Sequence, residues 1–272
     1  MTFVVPALTF GPMTVRPGGE IACTVIDRVR RTAGEGGGAV GGAGVVSGDQ
    51  GATRAIVLID GAGGSGKSTF ARRLVDAING DEREDGNIGD GVTGGRGDGD
   101  GGSTSGSRVA HACLVAVDDV SWWLHPFNWA DAMLDGVVRP WLAGGDVDYR
   151  PPGWIDKGRA GSVTAVASAE AAVNILVIEG MGAARHDLAD LASCIIWVNT
   201  DPHTARERLI ARDLALGVNG SNRQEVEAFT DEFDALLAPF YAAEKPWQRA
   251  NLVIDGDTHR PDGRIDVVLG DR

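Results

Sequence analysis

The 272-residue chain is 43% apolar, contains 40 glycines, and sets 38 Asp and Glu against 25 Lys and Arg for a formal net charge of −13. That length supports one substantial core or two small ones. The acidic balance argues against a surface for nucleic acid or anionic membrane, which requires a basic patch. Cys23, Cys113 and Cys194 lie far apart among apolar residues, without CxxC spacing. They read as small core residues in a reducing compartment. The start, M-T-F-V-V-P-A-L-T-F, lacks the basic lead of a signal peptide, and no run of about 18 apolar residues occurs. The expectation is a cytoplasmic chain.

Residues 1–53 form an N-terminal extension. It contains a short helical pattern, Ile21–Arg31, and a linker, Thr32–Gly51, in which nearly half the residues are glycine. From residue 54 to 258 apolar runs of strand length alternate with helical patterns. The strands are expected at Ala55–Ile59, Cys113–Val117, Ile175–Ile178, Cys194–Val198 and Leu252–Ile254. Their apolar runs are continuous, as in parallel strands covered on both faces. One helix is expected to run from the glycine-rich stretch to Ile78, and another from Asn128, as N-cap, to Leu142. A third begins at Asp201-Pro202 and ends at Gly217, and a fourth begins with the capping box Asn222/Glu225 and reaches Ala243. Gly80–Ser107, with 11 glycines, seven acidic and two basic residues, reads as a disordered insertion, and residues 259–272 as a tail. The alternation predicts an α/β fold, a three-layer α/β/α sandwich around a five-stranded, mostly parallel sheet.

Between the first strand and first helix, Gly61-A-G-G-S-G-K-Ser68 matches G-x-x-x-x-G-K-[ST] in full. Glycines at 61, 63, 64 and 66 let backbone N–H groups, with that of Ser65, turn inward on a phosphate, and the helix N-terminus behind them adds positive potential. Lys67 reaches the β- and γ-phosphates of ATP. Ser68 is a ligand for Mg2+, and Thr69 completes the nucleotide-binding run. Three acids follow strands on the edge where ligands gather in parallel sheets: Asp118, Asp119 and Glu179. Glu179, and Asp118 beside it, suit a metal role opposite Ser68. Either Asp118 or Asp119 suits a base that takes the proton of an acceptor hydroxyl. Arg208 and Arg212, four apart after Asp201, can clamp a transferring phosphoryl group.

Together, I-D-G-A-G-G-S-G-K-S-T, V-D-D, V-I-E-G at 177–180, W-V-N-T-D-P-H-T-A-R-E-R-L-I-A-R-D and the closing A-N-L-V-I-D-G resemble the uridine kinase-like branch of P-loop kinases. The resemblance covers roughly residues 54–256. It is strongest to the uridine kinase-like ATP-binding proteins of actinobacteria, which share D-D, a tryptophan-rich middle and L-V-[IV]-D-G. It implies a nucleoside/nucleotide kinase-like P-loop NTPase with Lys67 and Ser68 on ATP–Mg2+, Asp118 as base, Glu179 near the metal, and Arg208 and Arg212 as clamp. Asp119 can exchange roles with Asp118. In the acceptor region the chain departs from the pattern, with V-S-W-W after the acid pair and F-N-W-A-D-A after that. Trp122, Asn128, Tyr149, Trp154 and Arg159 are the expected contacts to the acceptor.

The function expected is an ATP-dependent small-molecule kinase acting on a hydroxyl of a nucleoside-like acceptor, with no nucleic-acid or membrane partner. A slow ATP-hydrolysing switch and a nucleoside monophosphate kinase are the alternatives. For the latter, Arg139, Arg150, Lys157 and Arg159 are the middle-region residues available to bind an acceptor phosphate.

Overall fold

The computed structural model describes residues 14–16, 18–35, 45–47, 52–80, 108–257 and 265–269. Most of the insertion expected at 80–107 lies outside the described residues, as do parts of the linker and the tail. The strands are β1 (Thr14–Arg16), β2 (Val45–Ser47), β3 (Thr53–Gly61), β4 (Arg108–Ala116), β5 (Val147–Tyr149), β6 (Val163–Ala165), β7 (Ala171–Glu179), β8 (Cys194–Asn199), β9 (Leu252–Asp255) and β10 (Ile265–Leu269). The helices are α1 (Gly18–Glu35), α2 (Lys67–Asn79), α3 (Val117–Ser121), α4 (Ala130–Met133), α5 (Arg139–Leu142), α6 (Pro152–Asp156), α7 (His186–Ala189), α8 (Pro202–Leu216) and α9 (Arg223–Glu244). Among the described residues, no helix is long and apolar enough to cross a membrane.

All five expected strands form, and they make a parallel core in the order β4-β7-β3-β8-β9. Alternate residues of β3 serve opposite layers. Val57 and Ile59 pack with Phe70, Leu74 and Ile78 of α2, and Ile56 and Leu58 pack with Trp129, Met133 and Trp141. Both faces are therefore covered, and the three-layer α/β/α class follows.

The structure extends the domain beyond residues 54–258. Helix α1 is longer than the Ile21–Arg31 pattern and buries Ile21, Val25 and Val29 in the core shared with α2. Part of the expected linker is strand β2, which pairs antiparallel with Thr53–Ala55. Strand β8 begins pairing only at Val57 and leaves that stretch of edge open. Part of the expected tail is β10, which lies antiparallel between β9 and β1. The helix expected from Asn128 to Leu142 is α4 and α5 joined by a π-helical turn, Leu134–Val138. Asn128 is not its cap: Trp129 holds that position, without a side-chain cap.

Candidate active site

Strand β3 sits between β7 and β8, the strands on either side of the point where the connections change direction. Its carboxyl end therefore opens into the crevice where ligands bind in such sheets. The glycine-rich stretch turns there. Ser65 N–H donates to Ala62 O at 3.1 Å, and Phe70 N–H donates to Gly66 O at 3.0 Å as α2 begins. Gly64 and Gly66 hold φ of +77° and +92°, where L side chains are strained. At Gly64 space is also lacking: a Cβ would lie 2.0 Å from Ala205 O of α8. Ser65 is fully buried in this turn, and its Oγ has no hydrogen-bond partner among the described residues. Thr69 is exposed one turn further on.

Lys67, the first residue of α2, brings its Nζ to 3.3 Å from Ala62 O. Burial pulls its pKa below the usual lysine value, while the charges of Glu179, Asp118 and Asp60 pull it back up. Ser68 Oγ donates to Glu179 Oε2 at 3.0 Å. Burial pushes the Glu179 carboxyl up, and Lys67 and Ser68 oppose that shift. Beneath them Asp60 is fully buried. Its carboxylate accepts from the backbone N–H of Gly61 (2.7 Å), Gly182 (3.0 Å) and Ala184 (3.1 Å), and from Tyr241 Oη (3.4 Å). Desolvation raises its pKa to about 6 despite the three amides.

The adjacent acids on α3 diverge. Asp118 is exposed at the rim of a cavity of about 860 Å3 whose lining also includes Ala62 and Gly63 of the glycine-rich turn. Asp119 is tied down instead. Arg159 Nη2 donates to its Oδ1 at 3.1 Å, and Trp154 Nε1 donates to its backbone O at 2.8 Å. The other walls of the cavity are α8, with Ala205, Arg206, Leu209 and Arg212, and α9, with Phe229, Phe233, Leu237 and Tyr241 at four-residue spacing.

None of the five residues expected to touch the acceptor lines this cavity. The Arg159 guanidinium stacks 3.6 Å over Trp154 and 5.2 Å from Trp122, forming a prop for Asp119. The Tyr149 ring lies against Gly136 so closely that a Cβ there would be 2.4 Å from it. Asn128 is exposed. Arg208 and Arg212 engage different partners. Arg208 donates to Gly256 O at 2.6 Å and to Asp257 O at 3.4 Å, beside the end of β9. Arg212 is on the cavity, held to Asp213 Oδ1 at 2.7 Å. The second guanidinium in the cavity is Arg206, paired with Asp231 at 2.8 Å and Asp234 at 3.4 Å. The aromatic and acidic face of α9 is an addition to the residues expected at the site. The spacing of Phe229, Phe233, Leu237 and Tyr241 was its visible signal.

No protein-family model matches the chain, and comparison with curated proteins finds no match. Among solved structures, it is similar to a candidate fructose transport system kinase from Silicibacter sp. TM1040, at 17% identity and a TM-score of 0.49, over 84% of this chain and 95% of that one. It is also similar to a candidate uridine kinase from Bacillus stearothermophilus, at 14% identity and a TM-score of 0.37, over 85% of this chain and 98% of that one. Likenesses this distant speak to neither substrate nor activity.

Proposed function

We propose that the chain is an ATP-dependent kinase that transfers a phosphoryl group to a hydroxyl of a small molecule held between α8 and α9. The observation that carries this reading is the meeting of the glycine-rich turn and Asp118 on one cavity of about 860 Å3, a size suited to a small-molecule ligand. Helix α2 points its N-terminus and Lys67 at the turn, so anionic phosphate is favoured there. The orphaned Ser65 Oγ and the positive φ at Gly64 and Gly66 fit a cradle for phosphate oxygens.

Magnesium fits as an ion brought by the nucleotide. Among the described residues no group of three or more His, Cys, Asp or Glu is placed to hold a metal. Ser68, with Glu179 hydrogen-bonded to it, supplies the few protein contacts such an ion takes. Its chemistry is to neutralise charge on the phosphate oxygens.

Asp118 accepts the proton of the acceptor hydroxyl as the new O–P bond forms. Asp119, already engaged by Arg159, holds α3 in place for it. Lys67 beside the glycine-rich turn and Arg212 on the cavity wall are the cations available to the charge that develops in transfer. A concave cavity of small-molecule size beside Asp118, rather than a flat surface, favours transfer over a slow hydrolytic switch. The nucleoside monophosphate reading lacks its cations: neither Arg139, Arg150, Lys157 nor Arg159 lines the cavity.

The test is ADP release by the purified protein across a panel of hydroxylated metabolites, alongside Lys67→Ala and Asp118→Asn. Lys67→Ala is expected to abolish turnover with an unchanged melting curve. Asp118→Asn is expected to lower acceptor-stimulated turnover by 10²-fold or more while nucleotide still binds. Wild-type turnover by either variant rejects the assignment.

A further inference from the structure

The charge on the cavity walls narrows the class of acceptor, on the understanding that this cavity is the acceptor site proposed above. Five carboxylates line it, those of Asp118, Asp201, Asp213, Asp231 and Asp234, against the guanidiniums of Arg206 and Arg212. Arg212 is taken by Asp213, and Arg206 is divided between Asp231 and Asp234. Asp118 shares the field of Lys67 with Glu179 and Asp60. The walls therefore hold more negative charge than their own cations offset, and bound ATP adds to the excess.

Asp234 shows the strain of this arrangement. Burial pushes its carboxyl up, Arg206 pulls it down, and Asp231 pushes it up again. Facing the same space, Phe229 and Phe233 lie parallel, with centroids 6.2 Å apart and planes within 9°. Aromatic faces beside carboxylates attract a positive charge by both the ring quadrupole and direct Coulomb force. An anionic acceptor meets repulsion from the same groups.

We propose that the acceptor is a polyhydroxylated amine, such as an amino sugar or aminocyclitol, whose ammonium group sits against Asp231 and Asp234 of α9 while one hydroxyl reaches Asp118. In the transfer the hydroxyl oxygen bonds to the γ-phosphorus, the bond from that phosphorus to the bridging oxygen of ADP breaks, and Asp118 keeps the proton. The ammonium is unchanged.

The experiment titrates streptamine and scyllo-inositol calorimetrically into the full chain. The two are the same ring, with two hydroxyls of the cyclitol exchanged for ammonium groups. Both titrations are run with and without Mg2+ and a non-hydrolysable ATP analogue. Streptamine is expected to bind at least tenfold more tightly, with the preference shrinking as salt is raised. The double variant Asp231→Asn/Asp234→Asn, checked by its melting curve, is expected to lose most of that preference. Equal affinities, or no binding of either ring to the wild-type chain, overturn the proposal, and that comparison does not depend on whether the variant folds. Failure of the ATP analogue itself to bind would instead overturn the kinase reading, and the nucleotide-free titration still reports on the cavity.

Discussion

Asp60 is surrounded by donors that belong to three different parts of the site: Gly61 of the glycine-rich turn, Gly182 and Ala184 after Glu179, and Tyr241 of α9. A single carboxyl thus sets the turn, the acid beside Ser68 and the cavity's far wall relative to one another. Its burial has a thermodynamic consequence. The folded value of about 6 lies above the ordinary aspartate value of 3.8, so the native state holds the proton more tightly than the unfolded chain. For an acid shifted upward, the associated stability is full below the unfolded value and is lost as pH rises through the folded one. Between pH 3.8 and about 6 this group should remove on the order of 3 kcal/mol, at about 1.4 kcal/mol for each pH unit. Asp60→Asn does not titrate. It is expected to be less stable than the wild type at pH 4, by about 1–3 kcal/mol for the amide left without its acceptor. The gap should narrow as pH rises to 6.5. Parallel urea titrations at several pH values measure it, and a gap constant with pH would show that Asp60 stays ionised throughout. The sequence placed Asp60 at the end of a strand, but it carried no sign of the amides that converge on it, because Gly182 and Ala184 are more than a hundred residues away.

Helix α8 was legible at both ends before its role was. Asp201 caps it through Thr204 N–H at 2.9 Å, and Gly217 closes it at φ +65°. Asn222 likewise caps α9, through Glu225 N–H at 3.1 Å. Asn222→Ala should lower stability by about 1 kcal/mol, read as a shift in the denaturation midpoint. The sequence could not choose which face of α8 meets the site, because basic residues stand at 206, 208 and 212 on several sides of it. Contact with the glycine-rich turn decides it. Ala205 and Leu209 press on Gly64 and Gly63, which turns Arg206 and Arg212 to the cavity and leaves Arg208 beside Gly256. The glycine at 64 is therefore required by its contact with α8, independently of the proposed phosphate approach. Gly64→Ala combines a strained φ with a contact of 2.0 Å to Ala205 O. Displacing α8 from the turn is expected to weaken binding of an ATP analogue tenfold or more while the helical circular dichroism signal is retained. Unchanged affinity would mean that turn and helix do not depend on each other.

At the scale of the molecule, the parallel sheet was readable because each of its five strands is a continuous apolar run. The elements that complete the sheet were not. Strands β1, β2 and β10 are short and antiparallel and lie outside the regular alternation, and only their pairing defines them: β2 with β3, β10 with β9, and β1 with β10. Helix α1 was visible as a pattern, but its docking could not be inferred. It follows from apolar positions four apart, Ile21, Val25 and Val29, all within 1% of full burial and packed in the cluster that contains Phe70 and Leu74 of α2. The consequence reaches the site, since α2 carries Lys67 and Ser68 at its other end. Fully burying a side chain of this kind contributes about 1.5–3 kcal/mol, so removing the three withdraws a large share of a margin that is typically about 5–15 kcal/mol. A chain lacking residues 1–35 should therefore lose its cooperative thermal transition, or melt well below the full chain, and bind apolar dyes. If these residues were an appendage to a domain beginning at residue 54, the truncated chain would melt within a few degrees of the intact one and bind nucleotide equally well. Differential scanning calorimetry of the two chains separates these outcomes. The milder pair Val25→Ala and Val29→Ala gives a graded version, in which each substitution lowers the transition without abolishing it, and together they do so roughly additively only if the two valines pack independently.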